Sequence, residues 1–298
     1  MTKKLGGEAG AKEIVKLLKA ENVVPEFVMD EGGIITKEKI PGVTSPVALV
    51  GVAEKGFLSV ELFVNLSGGH SSMPGNELAI EILSNAIVKL RQERFPARLT
   101  PPVKNFLSHV GPLMPFSVRI GIANIWLFKS VILGNYEKSA AGNATIRTTT
   151  APTIFKSGYK DNVLPTKASA TVNFRFLPGE STEDVLEHIT SIINDDRVVL
   201  QKGNFFSEPS PVSPTDNFGF TLIEKSILEV FPSVTVSPYL VVGGTDSRYY
   251  NEICENIYRF IPVTDPIGFH DINERLAIED FNKAMVFYYQ LIKNAGSE

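Results

Sequence analysis

The chain has 298 residues, 43% hydrophobic and 21% charged, the balance of a globular protein and not of a disordered, collagen-like or disulfide-stapled one. Its 29 Lys and Arg against 33 Asp and Glu leave a net charge of −4, which argues against nucleic acid as a partner, because nucleic-acid binders carry a basic footprint. The one cysteine, Cys254, cannot form an internal disulfide.

Residues 9–20 read as a helix, with Ala11, Ile14, Val15 and Leu18 at the spacing of one buried face. The residues before it hold lysines but no apolar core, so no secretory signal is expected and the chain reads as cytoplasmic. A short strand over 25–30 ends at Asp30, and a second apolar run covers 46–53. From Lys55 the character changes. Leu58, Val60, Leu62 and Val64 alternate with Ser59, Glu61 and Phe63, as in a half-buried strand. Asn76 is placed to cap the next helix, whose buried face is Ala79, Ile82, Leu83, Ala86, Ile87 and Leu90.

Residues 92–142 are irregular, proline-rich and expected to hold short helices around Trp126. Their most apolar run, 120–128, lies between Arg119 and Lys129, far short of the ~20 residues that span a bilayer, so no membrane partner is expected. Strands are predicted at 144–149 and 169–176. Ser181 caps a helix with Val185, Leu186, Ile189, Ile192 and Ile193 inward, and a strand follows at 197–201. Leaving out 92–142, the order over 56–205 is β-α-β-β-α-β, that of a ferredoxin-like α+β unit. Beyond the prolines at 209–214, α/β character resumes. A helix is predicted at 216–230, strands at 239–242 and 257–262, and a final helix at 279–293 with Phe281, Met285, Tyr288 and Ile292 inward. The fold class is α/β, a catalytic-type domain (1–55 and 206–298) interrupted by the 56–205 unit.

Four places can carry chemistry. Asp30, at the end of a predicted strand, is a metal ligand or a turn cap. Gly68-Gly69-His70-Ser71-Ser72 brings backbone close to a ligand or is a polar loop with an exposed histidine. Gly243-Gly244-Thr245-Asp246-Ser247 follows an apolar strand and can cradle a carboxylate or phosphate, or form a tight turn. His270, in Gly268-Phe269-His270-Asp271, is a reasonable zinc ligand. His188, on a helix opposite its apolar residues, reads as solvated.

Taken in order, Pro-Glu-Phe-Val-Met-Asp-Glu-Gly-Gly, Gly-Gly-His-Ser-Ser-Met-Pro, Asn-Phe-Arg-Phe-Leu-Pro-Gly, Gly-Gly-Thr-Asp-Ser-Arg and Gly-Phe-His-Asp-Ile-Asn-Glu-Arg resemble the di-zinc exopeptidase and aminoacylase family. Its carboxypeptidase S branch is most similar, through Asn256-Ile257-Tyr258-Arg259-Phe260 and the 92–142 insertion. The resemblance implies a zinc-exopeptidase-like catalytic domain with a ferredoxin-like lid that forms a homodimer. It implies zinc as cofactor, two ions in a complete member, and a small peptide or N-acyl amino acid as substrate. Asp30 and His270 match zinc ligands. His70 matches the lid histidine that stabilises the oxyanion in the partner's active site. Asn162 and Arg175 match residues holding the substrate's polar end, and Gly244 and Thr245 the loop receiving its carboxylate. The family's bridging aspartate, a His-x-Asp motif and the general base have no counterpart here; Thr2, Lys3 and Lys4 stand where three acids are expected. The expectation is therefore an incomplete catalytic domain, weak or absent zinc binding and no activity alone. The alternative is a non-catalytic dimerisation or ligand-binding protein derived from the family.

Overall fold

The computed structural model describes residues 7–268 and 272–297. In chain order the helices are α1 (Ala11–Ala20), α2 (Ala79–Gln92), α3 (Pro101–Val110), α4 (Phe116–Ala123), α5 (Ile125–Tyr136), α6 (Ala140–Ile146), α7 (Thr182–Ile193), α8 (Phe218–Val230) and α9 (Ile278–Ala295). The strands are β1 (Val28–Thr36), β2 (Val47–Glu54), β3 (Gly56–Asn65), β4 (Gly69–His70), β5 (Thr149–Ser157), β6 (Val163–Leu164), β7 (Lys167–Phe176), β8 (Val199–Ser207), β9 (Thr235–Val241) and β10 (Ile257–Thr264). They divide into two compact units. One holds the described residues up to Glu54, Leu99–Thr145 and those from Ser210 on; the other holds Lys55–Arg98 and Ile146–Pro209.

The first unit is built on a mixed sheet in the order β1-β10-β2-β9, with β1 parallel to β10 and β2 parallel to β9. Strand β2 is buried along almost its whole length, which is why it reads as an unbroken apolar run. Ala48, Val50 and Val52 share a core with Phe220, Ile223 and Ile227 of α8 and with Phe287 and Leu291 of α9. Val47 packs with Val110 of α3 in a smaller cluster. Residues 99–145 thus cluster with this unit, although the sequence reading includes them in 56–205.

Two helix faces and one strand are corrected here. On α9 the buried residues are Phe287, Leu291 and Asn294, while Phe281, Met285, Tyr288 and Ile292 are exposed. Asn294 fixes that rotation, because its side-chain amide donates to Ser226 Oγ and Glu229 Oε2, each at 2.9 Å. On α1, Val15 is buried but Ile14 is exposed. Residues 144–149 are not a strand: α6 runs to Ile146, with Thr145 Oγ1 donating to the Gly142 carbonyl, and the strand starts at Thr149.

The second unit is the expected two-layer arrangement. Its antiparallel sheet has the order β5-β7-β3-β8, with Leu62 opposite Ala170 and Val60 opposite Val172. Leu58, Val60, Leu62 and Val64 alternate inward and meet Ala170, Val172, Phe174, α2 and α7 in one core. Each of the Leu, Val and Phe side chains contributes roughly 1.5–3 kcal/mol by leaving water. Ser181 caps α7 as expected, in a reciprocal box with Asp184. Asn76 does not cap α2. The helix starts later, and the Leu78 N–H donates to Glu81 Oε2 at 2.9 Å. His188 is not solvated either: it is half-buried against the Phe95 ring, with centroids 3.9 Å apart, and burial pushes its pKa down.

A charged cluster lies at one end of this unit. Lys55 is buried and donates to the Arg147 carbonyl at 2.7 Å. Glu180 accepts from Thr148 Oγ1 and pairs with Arg98 at 3.2 Å. Burial pushes the Lys55 ammonium down to about 7, with Glu180 opposing that shift and Arg175 adding to it. Because the folded pKa lies below the unfolded one, the unfolded chain binds more protons above pH 7, and stability rises with pH across that window. Urea unfolding should therefore show stability rising from about pH 7 to about pH 9, and Lys55→Met should flatten that rise. An equal slope in the variant would refute the assignment.

Candidate active site

In the first unit the site is assembled around Asp30. Strand β1 does not end there but continues to Thr36, so Asp30 is its third residue, opposite Arg259 of β10. The strand runs on because Gly32 and Gly33 carry it through a register shift. A Cβ on Gly33 would lie 1.7 Å from the Leu49 carbonyl oxygen. Both Asp30 oxygens accept backbone N–H groups, Oδ1 from Glu31 at 2.8 Å and Oδ2 from Ser247 at 2.7 Å.

The loop after β9 closes over the same end of the sheet. Thr245 is buried; its N–H donates to Glu54 Oε1 at 2.8 Å, and its hydroxyl bonds Ser247 Oγ at 2.7 Å and caps the turn by accepting from the Ser247 N–H at 3.3 Å. Gly244, beside it, faces the Arg248 guanidinium. Arg259 is wholly buried. Its Nε donates to Ser247 Oγ at 3.0 Å and lies 3.3 Å from Glu54 Oε1, its Nη1 donates to the Ile257 carbonyl, and its Nη2 has no hydrogen-bond partner among the described residues. Burial pushes the Glu54 carboxyl up and the Arg259 guanidinium down, and their mutual attraction opposes both shifts. Asp30, Glu54, Thr245, Ser247 and Arg259 therefore form one buried polar network.

Ser247 belongs to the loop expected from sequence, whereas Glu54 and Arg259 were not singled out as site residues. Their signal is a charge within or ending an apolar run, Ala53-Glu54 and Tyr258-Arg259-Phe260, since a buried charge requires a partner. His270 lies outside the described residues. Among the described residues, no group of three or more His, Cys, Asp or Glu side chains is placed to hold a metal ion. Asp30 offers one carboxylate already bonded to two N–H groups, whereas a zinc site takes three or four protein ligands. The described residues do not by themselves fit zinc.

In the second unit, His70 and Asn162 come together. Strands β4 and β6 pair His70 with Val163, and the Asn162 carbonyl accepts from the Ser71 N–H at 3.2 Å. His70 is exposed, with Nδ1 held by Ser72 Oγ at 2.8 Å. The Asn162 side-chain oxygen is buried and has no hydrogen-bond partner among the described residues. Arg175 lies on the separate four-stranded sheet, stacked 4.5 Å over the Phe57 ring.

The peptidase dimerisation domain family matches residues 52–198. A protein from Dictyostelium discoideum named "Probable carboxypeptidase S-like 2" is 40% identical over 296 residues, covering 97% of this chain and 57% of that protein. The "N-fatty-acyl-amino acid synthase/hydrolase PM20D1" of Xenopus tropicalis is 40% identical over 300 residues, covering 99% of this chain and 58% of that protein. Residues 52–198 thus match a peptidase dimerisation domain, and nearly the whole chain is similar to part of these relatives. It spans less than two thirds of the length of these relatives. Among solved structures, the M20 family metallo-carboxypeptidase Sso-CP2 from Sulfolobus solfataricus has the same fold, with a TM-score of 0.63 at 16% identity over 95% of this chain and 66% of that one.

Proposed function

We propose that the chain forms the lid and part of the catalytic domain of a zinc-dependent M20 hydrolase of peptide or N-acyl amide bonds, and that these residues alone do not turn substrate over. The observation that carries the reading is 40% identity, along nearly the whole chain, to relatives named as a carboxypeptidase S-like protein and an N-fatty-acyl-amino acid synthase/hydrolase. His70 beside Asn162 supports it: an exposed imidazole can donate to a developing oxyanion, and a side-chain oxygen with no partner among the described residues can receive a substrate N–H. Arg175 is the third lid residue assigned to the substrate, and Gly244 and Thr245 form the loop assigned to its carboxylate. In a complete member zinc would be the cofactor, with Asp30 and His270 as two of its ligands; this chain alone is expected to hold it weakly or not at all. The match to a dimerisation domain supports a homodimer through the lid.

The expected inactivity rests on the general base. A general base contributes typically 10²–10⁴-fold, and among the described residues Glu54 is committed to Arg259 and Thr245, leaving it no free role. The second reading, a non-catalytic dimerisation or ligand-binding protein, is favoured by one observation: the Thr245 and Ser247 N–H groups are already taken by Glu54 and Asp30. The test is a zinc-supplemented assay against N-acetyl amino acids and Gly-X dipeptides, with light scattering on the same sample. We expect a dimer and no turnover above background. Turnover abolished by both Asp30→Ala and His270→Ala would overturn the inactivity, and a monomer at high micromolar concentration would overturn the dimer.

A further inference from the structure

Helices α4 and α5 are apolar on every side, yet neither contains a buried residue. A helix apolar all round belongs in a core or against lipid. Here Phe116 is 75% exposed, Trp126 80%, Leu127 61% and Val131 62%. Between Phe116 and Tyr136 the only ionised side chains are Arg119 and Lys129, both basic and both exposed, and there is no acid. The pair is anchored at its bend, by Ile122 packed on Gly111, and at its C-terminal end, by Tyr136 half-buried beside Tyr239. Its 8 and 12 residues meet at a bend of 120°. They reach only ~12 and ~18 Å, well short of the ~30 Å hydrocarbon thickness, so the element lies on a membrane rather than across it.

We propose that the α4–α5 pair docks on an anionic phospholipid surface, laying Phe116, Trp126, Leu127 and Val131 into the headgroup boundary with Arg119 and Lys129 among the lipid phosphates. Apolar helix surface with exclusively basic ionised groups is the pattern that negatively charged bilayers attract. A second copy fits less well: a two-fold contact of this face would set its basic groups against their own kind, with no acid to answer them. This contact does not depend on hydrolase activity.

Trp126 is the one tryptophan of the chain, so its emission reports this element alone. With vesicles of phosphatidylcholine containing phosphatidylserine, the full chain should show Trp126 emission shifted to shorter wavelength and quenched by brominated acyl chains. The double variant Leu127→Asp, Val131→Asp should lose both effects, and Phe281→Asp on α9 should keep them. Arg119→Glu and Lys129→Glu, at exposed positions that leave the fold intact, should each weaken partitioning at least ~5-fold. Three results would overturn the proposal. Vesicles could leave Trp126 emission unchanged. Acrylamide could fail to reach Trp126 without lipid, showing that protein covers it. Binding could persist in the Leu127→Asp, Val131→Asp variant.

Discussion

Glu54→Ala should lower the unfolding free energy by about 3–5 kcal/mol, because it strands the Arg259 guanidinium in the interior. Arg259 is 0% exposed and Glu54 2%. The substitution removes the counter-charge at 3.3 Å and also the acceptor of the Thr245 N–H, which is left unsatisfied at a further penalty of ~1–3 kcal/mol if no water enters. The remaining bonds of Arg259, to Ser247 Oγ and the Ile257 carbonyl, supply neutral acceptors but no charge. Replacing both partners should behave differently. Glu54→Leu with Arg259→Met removes the buried charges together, and a well-packed apolar substitute is often neutral. Urea unfolding of the two variants side by side decides the matter. A Glu54→Ala protein within about 1 kcal/mol of the parent would show that the pair is solvated, contrary to the burial observed.

Gly33→Ala should destabilise the chain by about 3 kcal/mol or more, and for a reason of shape alone. The added Cβ would sit 1.7 Å from the Leu49 carbonyl oxygen and 2.9 Å from that of Arg259. Both are sheet backbone, which cannot swing away as a side-chain tip can. Relief requires β1 to separate from β2 and β10, the strands that hold Asp30 near Arg259 and Ser247. Gly134→Ala is the matched control: it lies within α5 with nothing inside 4 Å of the new methyl, so it should be neutral or stabilising by up to about 1 kcal/mol. Equal melting temperatures for the two variants would refute the close approach at Gly33.

Elements whose side-chain period matches their burial were legible in the sequence. Strand β3 alternates without a fault from Leu58 to Val64, and the alternation of β7 continues to Phe176, so their face and their sharing of one sheet followed directly. The Ser181 cap was equally plain, since its serine precedes an acid by three positions. Failures arose where a tertiary contact outweighed local pattern. The four apolar residues of α9 at helical spacing outvote Asn294 in any count of hydrophobicity, but Asn294 finds two partners on α8 and is buried. Asp30 looked like a strand terminus because two glycines follow an acid. Those glycines are strand residues, kept small by the Leu49 carbonyl, which no local window contains. The site was half legible for a similar reason. Motif order marked Asp30, His70, Thr245 and His270, whereas the partners that hold Asp30 and Thr245 in place come from distant strands and a loop.

The pairing of β2 with β9 sets a schedule for the chain as it is made. Val47 lies beside Thr235, roughly 190 positions later. At ribosomal speeds of ~5–20 residues per second, β2 waits on the order of 10–40 s for its neighbour to be translated. Throughout that interval a nearly all-apolar strand has only its short antiparallel pairing with β1, while the second unit, encoded in between, can already close around β3 and β7. Nascent chains should therefore be most vulnerable to mispairing and most dependent on chaperones during this interval, and codon changes that slow translation between positions 54 and 235 should lower the yield of folded protein without altering one residue of it.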